Sequence, residues 1–376
     1  MDRAKATIVQ WFKTADVDIN GKRPWDIKVH NDAFFGAILR GGTVAFGESY
    51  MAGWWDSEEL DELIAHLVRN NVNDNVKLSP HVILLFLEST LGNAGARSKA
   101  FEVGQRHYDI GDDLFVRMLD KRMTYTCGYW RDASGREAKN LDDAQEAKLD
   151  LVCRKLGLQK GQKILDIGCG WGSFAKFAAE KYGVHVTGIT VSKEQVERGR
   201  ALCKGMPVEL LLKDYRDIDG VFDRIVSLGM FEHVGYKNYR TYMQVVHDHL
   251  KDDGLFLLHT IGNNISQRHT DSWIDKYIFP NGMLPSIAQV GRSIEDLFVM
   301  EDWHNFGPDY DKTLMAWFEN FDRSWSESAQ SYGDVFYRMW KFYLLSCAGS
   351  FRARNLQLWQ IVLSKRGGRD HYLSVR

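Results

Sequence analysis

The stretch Lys163-Ile-Leu-Asp-Ile-Gly-Cys-Gly-Trp-Gly172 decides the fold. Ile164, Leu165 and Ile167 read as a buried strand, with Cys169 just beyond. Gly168, Gly170 and Gly172 follow, and Phe174-Ala-Lys-Phe-Ala-Ala-Glu-Lys-Tyr182 then has helical spacing. A strand, a glycine turn and a helix make the first unit of an open α/β sheet. Glycine lets the backbone take positive φ and pass close to a ligand. The helix start behind it offers free N–H groups.

A dinucleotide site wants G-x-G-x-x-G, because the pyrophosphate rests on the helix. Here the pattern is G-x-G-x-G, and Asp166 precedes it. An acid beside the turn repels phosphate and suits a cation. An NAD or FAD site and a plain tight turn compete with that reading. The string DIGCGWG, in its strand–turn–helix setting, resembles motif I of class I methyltransferases. Their S-adenosylmethionine carries a sulfonium and an ammonium and no phosphate.

Outward from the turn, strands and helices alternate, so the fold class is α/β with a mostly parallel sheet. The second strand is expected at 184–189, the third at 208–212, the fourth at 222–228 and the fifth at 254–262. Helices are expected at 141–156, from about 193, and at 239–250. Loops after the carboxyl ends of the strands should form the site. A nucleoside site often has an acid at the end of the second strand; this chain has Thr190, and the next helix supplies Gln195. Asp214 and Tyr215 follow the third strand. The region 265–312, with Trp273, Tyr277, Phe279, Trp303 and Phe306, reads as an insertion that covers the site with an apolar wall. The chain then runs to a strand at 356–363.

The 376 residues suit one large or two modest domains. A net charge of −2 gives no global field to attract nucleic acid. The five cysteines, Cys127, Cys153, Cys169, Cys203 and Cys347, form no C-x-x-C pair, which argues against a metal site and for a reducing compartment. No apolar run approaches ~18 residues, so no bilayer span is expected. Residues 1–75 read as a small α+β domain. Val17-Asp-Ile-Asn-Gly21 suits a strand, and Ser57 suits the N-cap of an amphipathic helix through Leu60, Leu63, Ile64 and Leu67. Gly53-Trp-Trp55 is either domain core or a lipid-facing surface. Residues 76–106 read as a linker helix region with an apolar run at 82–87 and the basic Arg97, Lys99 and Arg106. The remainder, 107–376, is the expected catalytic domain.

ESYMAGWWD (48–56), HYDIGDDLF (107–115), GMFEHVG (229–235), HTIG (259–262), YIFPNG (277–282), EDWHNFGPDY (301–310) and FRARNLQLWQ (351–360) join the glycine turn. Together these strings resemble the bacterial cyclopropane fatty acid synthase family over nearly the whole chain. The resemblance implies a Rossmann-like class I methyltransferase that adds a methylene from S-adenosylmethionine across a cis double bond of a phospholipid acyl chain. It implies Tyr125, Thr126, Gly168, Gly170, Thr190 and Gln195 at the cofactor, with Asp214 and Tyr215 near its adenine. It implies Glu232, His259, Tyr310, Cys127 and the backbone at Ile261 around a bicarbonate ion that serves as base. Glu232 as the base itself is the alternative. Cys347 is a second candidate by resemblance, although a packed thiol suits it better. The family further implies a homodimer, expected on the inner face of the cytoplasmic membrane, and the net charge argues for no nucleic-acid partner. A methyl- or methylene-branched product, and a catalytically dead lipid-binding protein, are the rival readings.

Overall fold

The computed structural model describes residues 3–72, 111–368 and 371–376. The apolar run at 82–87, the basic linker residues, the beginning of HYDIGDDLF and the expected boundaries at 75 and 106 lie outside the described residues. In chain order the chain forms α1 (Arg3–Thr14), β1 (Lys28–Val29), α2 (Ala33–Met51), β2 (Trp55–Asp56) and α3 (Leu60–Arg69). After α4 (Asp112–Met118) and α5 (Leu141–Lys155) come β3 (Lys163–Ile167), α6 (Ser173–Tyr182), β4 (His185–Thr190), α7 (Lys193–Leu202) and β5 (Val208–Leu212). Then follow β6 (Phe222–Leu228), α8 (Tyr239–His249), β7 (Leu250–Asn263), α9 (Ser272–Tyr277) and α10 (Ile287–Ile294). The chain closes with β8 (Phe298–Asn305), α11 (Pro308–Arg352, broken at Gly333) and β9 (Leu356–Lys365).

Two compact units emerge, and they cut across the chain order. One gathers the described residues up to 72 with 268–280 and 310–356; the other holds 111–267, 281–309 and the rest of the C-terminal portion. The sequence reading kept everything after 107 together.

The first unit is mainly helical, with β1 paired antiparallel to β2. Trp55 is fully buried, stacks on Phe46 with centroids 4.4 Å apart and donates its indole N–H to Ser49 Oγ at 3.0 Å. That settles Trp55 as core rather than lipid surface. Arg352 of α11 bonds Asp61 and Glu62 of α3 and both carboxylate oxygens of Asp311. Its neighbour Gly349 allows α11 to approach α3 closely, since a Cβ there would stand 2.3 Å from the Asp61 carbonyl oxygen. Two local expectations fail. Val17–Gly21 makes a single bridge, Ile19 to Ile27. Ser57 does not cap: α3 begins after Glu59, and the Ser57 hydroxyl donates to the Pro24 carbonyl at 3.2 Å.

The second unit is the expected α/β sheet. Seven strands run in the order β5-β4-β3-β6-β7-β9-β8. The pairs β3–β4, β4–β5, β3–β6 and β6–β7 are parallel, and β8–β9 is antiparallel. One apolar core gathers Leu165, Ile167, Phe231, Tyr242, Phe256 and Trp359; another gathers Leu149, Phe174, Phe177, Val226 and Leu257. The inner strands are buried almost throughout, as a sheet covered on both faces requires. The apolar-wall reading of 265–312 needs correction: Phe298–Asn305 is the edge strand β8, and Trp303 packs edge-on against Trp359, 4.9 Å between centroids.

Gly262, near the end of β7, fits only because it lacks a side chain: a Cβ would lie 2.2 Å from the buried Trp359 ring. We expect Gly262→Ala to lower the stability read from urea unfolding by about 1–3 kcal/mol, the usual cost of overpacking. Gly291 of α10 has nothing within 4 Å of its would-be Cβ. Gly291→Ala should instead stabilise by about 0.5–1 kcal/mol, because alanine restricts the unfolded chain.

Candidate active site

The glycine turn at the end of β3 is held from two sides. Gly168 and Cys169 both donate N–H to the Ile189 carbonyl, at 2.9 and 3.0 Å, which ties the turn to β4. Gly168 has φ +82°, and a Cβ there would meet Met230 Cβ at 2.6 Å. Gly170 also has positive φ, and the space beside it is open. A backbone with one crowded and one open glycine can receive a ligand on the open side.

Asp166 is buried, and its Oδ2 has no hydrogen-bond partner among the described residues. Burial pushes its carboxyl up to about 7, against the pull of the Lys148 ammonium. Desolvation therefore works against its charged form.

Thr190 ends β4 and donates its hydroxyl to Gln195 Oε1 at 2.7 Å. Ser192 caps α7 and accepts from Gln195 N–H at 3.3 Å. The two expected cofactor residues are thus one locked pair. After β5, Asp214 holds the Arg216 guanidinium at 3.0 Å, and Tyr215 packs edge-on against Tyr242, 5.1 Å between centroids. Tyr125 packs on Phe115, which packs on Trp171 beside the glycine turn. Thr126 lies against Gly229, where a Cβ would stand 2.7 Å from the threonine methyl. Cys127 is buried and donates its thiol to the Gly128 carbonyl at 3.0 Å.

The loops after β6 and β7 bring the next groups together. Gly229 donates N–H to the His259 carbonyl at 2.9 Å. Glu232 is buried; its Oε1 accepts the Ile261 N–H at 2.8 Å, and its Oε2 has no hydrogen-bond partner among the described residues. Burial raises this carboxyl to about 7. The Ile261 N–H thereby orients Glu232. His259 is buried, with Nδ1 3.4 Å from the side-chain amide nitrogen of Gln360. That amide donates, so the imidazole proton is assigned to Nε2, which has no partner among the described residues. Burial, then the charges of Lys148 and Lys155, hold His259 well below its ordinary range and keep it neutral. An unfilled acceptor and an unfilled donor thus lie at the carboxyl ends of two adjacent parallel strands.

Tyr310 and Cys347 belong to the helical unit. Tyr310 packs on Phe351 at 4.6 Å between centroids. The Cys347 thiol is pushed up to about 12 by burial and then by Asp271, so it is no thiolate. Sequence reasoning missed Lys148 and Gln360. Lys148 had a signal: it follows Ala144 by one turn on the face that also carries Leu151, a position where a lysine is out of place.

The sequence matches the family described as mycolic acid cyclopropane synthetase over residues 96–361. It is 50% identical over 362 residues to the cyclopropane-fatty-acyl-phospholipid synthase of Escherichia coli K12, covering 94% of each chain. It is 34% identical over 355 residues to a tuberculostearic acid methyltransferase of Mycobacterium tuberculosis, covering 89% of this chain and 82% of that one. The crystal structure of a mycolic acid cyclopropane synthase complexed with SAH and CTAB superposes with a TM-score of 0.65 at 35% identity, over 70% of this chain and 98% of that one.

Burial leaves a signature in the Glu232 titration. Its folded-state pKa is raised from the ordinary 4.5 to about 7, so the folded state takes up a proton between those values. Stability from this group falls as pH rises through that window. Glu232→Gln should therefore match wild type in urea unfolding near the bottom of the window and exceed it by about 3 kcal/mol above its top. A constant difference across pH would contradict the assignment.

Proposed function

The chain belongs to the mycolic acid cyclopropane synthetase family and is an S-adenosylmethionine-dependent methyltransferase, and from that premise we propose that it makes a cyclopropane ring in a phospholipid acyl chain. The substrate is a cis double bond of an unsaturated chain. The observation that carries the reading is the pair of buried, unpartnered atoms, Glu232 Oε2 and His259 Nε2.

The alkene is a weak nucleophile and needs a strong electrophile held in line. It attacks the sulfonium methyl, the C–S bond breaks, and S-adenosylhomocysteine remains. The chain now carries a carbocation. One proton must leave the new methyl group, and its C–H electrons close the ring. Water would trap the cation as an alcohol, so the site must be dry. Aromatic faces stabilise positive charge without attacking it.

Tyr125, Thr126, Gly168, Gly170, Thr190 and Gln195 hold the cofactor in this reading, with Asp214 and Tyr215 near the adenine. Glu232, His259, Cys127 and the backbone at Ile261 hold a bicarbonate ion in this reading, with Tyr310 as the further contact that the resemblance implies; the Ile261 N–H also fixes Glu232. The pair fits that ion: neutral His259 donates, and Glu232 accepts an O–H. Bicarbonate there would supply the base. Cys347 stays a packed thiol. The reading includes a homodimer attached peripherally to the inner face of the cytoplasmic membrane. Among the described residues no helix is long and apolar enough to cross a membrane. The tuberculostearic acid methyltransferase relative supports one second reading, methyl transfer without ring closure.

Purified protein, S-adenosylmethionine and vesicles of unsaturated phosphatidylethanolamine should yield lipid that gains one CH2 and loses its double bond, read by mass spectrometry and proton NMR. Carbonate-free buffer should cut the rate at least ~10-fold, with bicarbonate restoring it, and His259→Ala should cost ~100-fold or more. A branched product would favour the second reading. Full activity without carbonate would make Glu232 itself the base.

A further inference from the structure

Lys148 is a lysine with no exposed surface, on the inner face of α5. Its Nζ donates to Thr126 Oγ1 at 2.7 Å. Gln145, one turn earlier on the same helix, donates to the Thr126 carbonyl at 2.7 Å. The Thr126 methyl is fixed against Gly229, where a Cβ would lie 2.7 Å away. Oxygen, carbonyl and methyl are each held. An ammonium only donates, so Thr126 must accept from Lys148 and aim its own O–H elsewhere.

We propose that Lys148 is a positioning residue: it turns the Thr126 hydroxyl into a hydrogen-bond donor for the carboxylate at the methionine end of the cofactor. A hydroxyl polarised from behind by a buried cation suits an anion, because linked hydrogen bonds strengthen one another at low dielectric. Burial lowers Lys148 to about 8, with Asp120, Cys127 and Asp166 opposing, so it remains charged at neutral pH. Its charge also reaches His259, so one cation serves both halves of the site. This inference rests on the reading that Tyr125 and Thr126 line the cofactor.

The test compares two ligands by calorimetry: S-adenosylhomocysteine, which has the carboxylate, and 5′-methylthioadenosine, which lacks the amino-acid end. Lys148→Met should weaken S-adenosylhomocysteine ~10-fold, the worth of one charge-assisted hydrogen bond, and change 5′-methylthioadenosine less than ~2-fold. Thr126→Val should do the same, and the double variant should be no worse than either, since both remove one interaction. Equal losses on both ligands, or losses that multiply to ~100-fold in the double variant, would overturn the proposal. If Lys148→Met does not fold, Thr126→Ser and Thr126→Val decide: serine keeps affinity for S-adenosylhomocysteine and valine loses it, whereas a valine variant that binds like wild type overturns the role. Wild-type protein that binds no S-adenosylhomocysteine would instead overturn the proposed function, and this inference with it.

Discussion

One hydrogen bond sets the geometry of the candidate site: the Ile261 N–H to Glu232 Oε1, at 2.8 Å. It ties the end of β7 to the short helical turn after β6. A carboxylate has two oxygens, and this bond uses one. The other is left buried without a protein partner, which costs free energy unless a ligand fills it. The same logic governs His259, where Gln360 occupies one ring nitrogen and so fixes the proton on the other. Both arrangements spend stability on readiness, as binding sites commonly do.

Burial also mutes the charges. Asp166 and Glu232 are each pushed to about 7, Lys148 is drawn down to about 8, and His259 is kept neutral. Desolvation is the first cause in all four cases. Apart from the Lys148 ammonium, a site of this kind holds little fixed charge of its own near neutrality. Low dielectric then amplifies every remaining dipole.

The sheet was legible because its signals are local. Apolar runs marked the strands, with Gly168 closing β3 and Gly229 closing β6, and β3 through β6 fall within a residue or two of where they were expected. The site loops followed from topology, which places them at the strand carboxyl ends. Position in space was the harder matter. Trp303 reads as one more aromatic in an apolar stretch, and only pairing with β9 makes it part of an edge strand. The residues from Tyr310 to Leu356 join the N-terminal helices because Arg352 finds Asp61 and Glu62, nearly three hundred positions earlier, a match with no local trace. Ser57 failed as a cap for a similar reason: the Pro24 carbonyl competed for its hydroxyl. Lys148 was overlooked because a lysine in a helix is normally solvated, and its partner Thr126 lies in a different segment.

Cysteine sits inside the glycine turn itself, at Cys169. A sulfur anion beside a methyl donor would be methylated, and the protein would inactivate itself one molecule at a time. Burial, reinforced by the neighbouring Asp166, holds Cys169 far above its ordinary range, so it remains a poor nucleophile. Cys153, Cys203 and Cys347 are shifted in the same direction. Dry packing thus doubles as chemical insulation, letting a sulfur-bearing protein handle an alkylating agent without becoming its target.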